Sequence, residues 1–133
     1  MRVTLSKAGR RDAHQLRFLE TPHVHHWDSL MAFEETTRSV FPADLFMQPD
    51  DQPPVVHEDL GEAMCDWYRA AGIFAAEAPV RRVVDRLAPL APAWVHPMHG
   101  GSVPAAALPQ YITALREEPF AFDGRLFGRE LPE

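Results

Sequence analysis

Thirteen prolines fall in 133 residues. Proline fixes φ and has no N–H to donate, so it ends helices and is kept to the edges and ends of strands. A chain punctuated this often is restricted to short elements with sharp stops. Thr21-Pro22 closes the segment His14–Glu20, in which Leu16 and Phe18 share one face of an expected strand. The apolar run from Ser29 to Glu34 and the segment Arg38–Phe41 flank a turn at Glu35-Thr36-Thr37, and Pro42 follows. This pattern predicts an antiparallel hairpin. Gln48–Pro54, rich in proline and aspartate, excludes a helix and reads as a surface loop.

The second half predicts helices. From Glu58 to Ala71, Leu60, Met64, Trp67, Tyr68 and Ala71 recur at three- and four-residue intervals, and Gly72 is a C-terminal stop. A second helix is expected from Pro79, with Val80, Val83, Val84 and Leu87 as its buried stripe. Ala93–His96 reads as a short buried strand and 97–102 as a loop. A last helix is expected over Ala105–Glu117, and the tail from Phe120 to Pro132 packs back on the body.

Composition narrows the function. Thirteen basic against 19 acidic residues give a net charge of −6, with no Lys/Arg run, which argues against nucleic acid as a partner. No apolar stretch reaches the ~20 residues of a membrane helix, and Met1–Lys7 lacks a signal-peptide core, so a cytoplasmic protein is expected. The lone Cys65 reads as a buried small hydrophobe. Length alone argues for one domain over 1–133.

Seven histidines are unevenly spread: His23, His25 and His26 crowd one loop, and His96 and His99 another. Neutral imidazoles on a loop between strands suit zinc, iron, copper or nickel. Asp44 stands among apolar neighbours at a strand end, where a carboxylate is bound to a cation, hydrogen-bonded, or used as a turn or helix cap. His99 precedes two glycines, where backbone turns tightly beside a ligand. Asp28 and Ser29 are placed to orient an imidazole through its second nitrogen. His96 reads as structural, His14 as an exposed strand residue, His57 and Glu58 as capping, and Glu34-Glu35 as a solvated turn.

The segments Thr21–Leu30, Phe41–Phe46 and Pro97–Gly100 together resemble the second half of a metallo-β-lactamase-fold domain, nearest to flavodiiron-type and oxygen-binding di-iron proteins. The resemblance implies an α/β architecture, strands first and then helices, forming the C-terminal half of an αββα sandwich. It implies metal ligation by His25, Asp44 and His99, with Asp44 bridging. His26, next to the aromatic Trp27, is the alternative to His25. The implied cofactor is non-haem di-iron, with zinc as the alternative. The implied chemistry is binding or reduction of O2 or NO, or hydrolysis in the zinc branch. The family's earlier metal motif, HxExD or HxHxDH, has no match here. A partial domain over 1–133 is therefore expected, its site completed by a complementary N-terminal half or by self-association, with a flavin protein as electron donor. A non-catalytic metal- or partner-binding fragment is the other expectation.

Overall fold

The computed structural model describes residues 1–5, 14–126 and 129–130. Its centre is a six-stranded sheet in the order β1 (Arg2–Leu5), β2 (His14–Glu20), β3 (Leu30–Glu34), β4 (Ser39–Phe41), β5 (Trp94–Val95) and β6 (Val103–Pro104). All neighbours are antiparallel except β4 and β5, which are parallel. A parallel pair needs a long crossover. Here it contains α1 (Gly61–Ala71), α2 (Glu77–Leu87) and a 3-10 turn over Ala88–Leu90. α3 (Leu108–Glu117) follows β6, and β7 (Arg125–Leu126) pairs with β8 (Arg129–Glu130). No helix among the described residues is long and apolar enough to cross a membrane.

The three helices lie on one face of the sheet. Met31 and Phe33 of β3, Val40, Val95 and Val103 join Met64, Tyr68, Val80, Val84, Tyr111 and Leu115 in one core. The strand period of two sends Leu30, Ala32, Phe41 and Trp94 to the opposite face.

The expected hairpin β3–β4 and the stripe Val80, Val83, Val84 and Leu87 are present. Three helix starts differ. α1 begins at Gly61, whose N–H donates to Asp59 Oδ1 (3.0 Å), so Asp59 rather than His57 or Glu58 serves that end. α2 begins two residues before Pro79, at Glu77. Proline in a first turn loses no helix bond, because those N–H groups have no intrahelical acceptor. The residues 105–107 form a turn that delays α3 to Leu108. Glu34 is also not a solvated turn residue: it is 8% exposed and ends β3. Two short edge strands, β1 and β6, have no counterpart in the sequence reading. The tail packs back as expected at Phe120, which is fully buried, while 127–128 and 131–133 lie outside the described residues.

Candidate functional site

Strand directions collect the three singled-out loops at one end of the sheet. β2 ends there, β3 begins there, and β4, antiparallel to β3, ends there. β5 is parallel to β4 and ends there too. The loops 21–29, 42–47 and 96–102 are thus neighbours by topology, although His25 and His99 are far apart in sequence.

The first loop is tied to itself. Thr21 N donates to Ser29 O (2.9 Å), His23 N to His26 O (2.8 Å) and Val24 N to Thr21 O (3.0 Å). His23 has a φ of 66°, the Val24–His25 peptide is cis, and the Val24 side chain is buried as an anchor. His25 is half-buried and meets the ring of Phe74 edge-on at 6.2 Å. Its Nε2 lies 2.9 Å from Asp44 Oδ2. His26 is exposed, with its ring 4.2 Å from that of His25. Asp28 is exposed and Ser29 half-buried, and among the described residues neither side chain hydrogen-bonds an imidazole.

Asp44 is held through its backbone. Tyr68, fully buried on α1, donates its hydroxyl to Asp44 O (3.3 Å), and burial pushes that phenol well above its usual range. Met98 N donates to Ala43 O (2.9 Å), which joins the third loop to the second. His99 follows on an exposed turn, next to Gly100 at φ +95°. His96 does not join the site. Its Nδ1 pairs with Ser102 Oγ (2.8 Å), its ring stacks on Trp94, and burial lowers its pKa, as a structural histidine requires. Cys65 is buried, and desolvation first, then Glu118 and Asp66, pushes its thiol up to about 12, so it offers no thiolate nucleophile.

His25, Asp44 and His99 line one cleft of about 980 Å³. Gln48, Asp50 and Asp51 add polar walls, and Met47, Trp67 and Ile73 apolar ones. Gln48, Asp50 and Asp51 belong to the loop 48–54, which the sequence places on the surface and not at the site. A Pro/Asp-rich stretch carries no local signal that it folds over a site.

The donor chemistry, imidazole nitrogen and carboxylate oxygen, fits a metal in kind. His25 Nε2 and Asp44 Oδ2 stand at 2.9 Å, the distance of a direct hydrogen bond or ion pair. The implied third donor shares the cleft but not that point: among the described residues no three His, Cys, Asp or Glu side chains cluster closely enough to hold an ion.

The chain has a mixed α/β fold, its strands leading into helices, and shares that fold with solved diiron and flavodiiron protein structures. It superposes on the chemotaxis sensor ODP in a peroxy diiron species with a TM-score of 0.74, at 15% identity, over 90% of this chain and 51% of that one. The apo state of ODP from T. denticola gives 0.72 at 14% identity, over 91% and 50%. Rubredoxin oxygen:oxidoreductase from Desulfovibrio gigas gives 0.64 at 21% identity, over 78% and 28%. The chain thus spans about half the length of the sensor and less of the oxidoreductase. No family model and no curated protein sequence matches it.

Proposed function

We propose that this chain is the C-terminal half of a non-haem iron domain of the flavodiiron or ODP type, supplying His25, Asp44 and His99 to a centre whose other donors come from elsewhere. The observation that carries this is the approach of His25 Nε2 to Asp44 Oδ2 at 2.9 Å in a cleft that also takes His99. It favours His25 over the exposed His26. Iron bound there supplies redox chemistry toward O2 or NO, with electrons from a flavin protein. The chain's own residues hold and space the donors: Phe74 backs the His25 ring and Tyr68 fixes the Asp44 carbonyl. The coverage of about half of ODP and the apolar outer sheet face support completion by a second sheet, from a complementary half or another copy.

Metal analysis tests the site. Chain loaded with Fe(II) without oxygen, or with Zn(II), is expected to hold one ion or fewer. Asp44→Ala and His99→Ala are each expected to weaken binding beyond the ~10–100-fold caused by losing a ligand's outer partner. Unchanged metal content in both variants overturns the assignment.

A further inference from the structure

We infer that Gln48 is a positioning residue, whose buried amide fastens the His99 loop to the Asp44 segment and sets where His99 stands in the cleft. The inference rests on the metal-site reading for its purpose, but the fastening itself is visible without a metal.

Gln48 is only 2% exposed. A buried amide must satisfy its polar atoms locally or bear a desolvation cost. Its Nε2 donates to Phe46 O (2.6 Å), within the segment that carries Asp44. Its Oε1 accepts from Gly101 N (2.8 Å), 53 residues further on and two residues after His99. One planar group therefore bridges the two loops, with a donor turned to one and an acceptor to the other. Glutamine alone among side chains of this length offers both from one rigid plane; glutamate, when ionised, only accepts. The glycines fit the bridge. A Cβ on Gly100, which has φ +95°, would run into Gln48 Oε1, and one on Gly101 would run into the Pro53 carbonyl. On the other side of His99, Met98 N is fixed to Ala43 O. His99 is thus suspended between two bonds to the Asp44 side of the site, and the Gln48 bond is the one made by a side chain.

The test uses the full chain without metal first. Hydrogen exchange at the Gly101 amide and the ring resonances of His25 and His99 are followed by NMR in wild type, Gln48→Leu and Gln48→Glu. In Gln48→Leu, Gly101 exchange is expected to rise about tenfold, the change matching one net hydrogen bond. The His99 ring signals should shift or broaden, while His25 and the amides of Phe33 and Val40 keep wild-type behaviour. Gln48→Glu keeps an acceptor for Gly101 but sets an oxygen against Phe46 O, so it should keep more of the Gly101 protection. It also serves where the leucine variant does not fold. His99 signals that are unmoved in both variants, or exchange that rises equally throughout the core, overturn the inference. Zn(II) titration then separates the two claims. His99→Ala is expected to weaken binding in wild type and to add nothing in Gln48→Leu, whereas His25→Ala should add in full. Wild type that binds no Zn(II) removes the metal-site reading, while the metal-free result still decides whether Gln48 places His99.

Discussion

On the helix side of the sheet, Met31, Phe33, Val40, Val95 and Val103 are all 5% exposed or less. On the other side Leu30 is 53% and Phe41 46% exposed, and Ala32 and Trp94 are half-buried. The residue types are alike, so composition does not separate the faces. The difference is what the chain supplies to cover them: α1, α2 and α3 close the inner face, and no described element closes the outer one. The outer face is nevertheless polar at one end. There Glu34 accepts from the backbone N–H of Thr36 (3.0 Å) and Thr37 (2.7 Å), from the Thr37 hydroxyl (2.5 Å), and pairs with His14 Nδ1 (3.2 Å). Apolar side chains run along the whole face: Leu16 and Trp94 flank the Glu34 end, and Leu30 and Phe41 lie at the site end beside Glu20.

The inner face should show the largest effects. Phe74 is fully buried, with its ring edge-on to Tyr68 at 4.9 Å and to Phe120 at 5.9 Å. Phe74→Ala is expected to cost about 3–5 kcal/mol in denaturant unfolding. Because His25 also leans on this ring, its NMR signals should change in the same variant. A cost below 1 kcal/mol would dissolve the contrast between a finished face and an open one.

Glu34 gives the next effect, and its sign follows from its hydrogen bonds. The Thr37 hydroxyl foremost, against the opposing effect of burial, brings its carboxyl from an ordinary 4.5 down to about 2. A lowered folded-state pKa contributes stability that is present in full above pH 4.5 and is lost as pH falls through about 2, because the unfolded chain takes up the proton first. Glu34→Gln puts an amide donor where the Thr37 donors point and is expected to cost about 2 kcal/mol at neutral pH. It should also flatten the acid limb of a stability–pH curve measured between pH 2 and 5. An unchanged acid limb would assign that limb to other carboxylates.

How far these features can be read from the chain depends on the range of the contact behind them. β2 follows from Leu16 and Phe18 with Pro22 as a stop, and the α2 stripe from Val80, Val83, Val84 and Leu87, because periodicity is local. The cleft's three loops were also legible, since His25, Asp44 and His99 each sit beside a strand end. Glu34 and Gln48 were not. Each looks like a polar residue in or next to a turn: Glu34 is bonded by Thr36 and Thr37 close by and by His14 from β2, Gln48 by Phe46 close by and by Gly101 across 53 residues, and their burial comes from the folded chain. The two-residue strand β6 is too short for any period to announce it, and it exists through its pairing with β5.

The smallest expected change in stability per residue is on the outer face, and it is the sharpest test of the contrast. Covering the exposed half of Leu30 or Phe41 in a complex would contribute roughly 1 kcal/mol each, about half the value of a fully buried side chain. In the lone chain the other half of each is already covered, Phe41 with its ring 5.2 Å from that of His96. The double variant Leu30→Ser, Phe41→Ser is therefore expected to cost about 2 kcal/mol in all, about half of that per residue. Sedimentation velocity should show wild type self-associating and the double variant shifted toward monomer. Far greater destabilisation would mean that the chain covers this face itself. Wild type that stays monomeric and binds no apolar dye would count against an open apolar face and with it the half-domain reading.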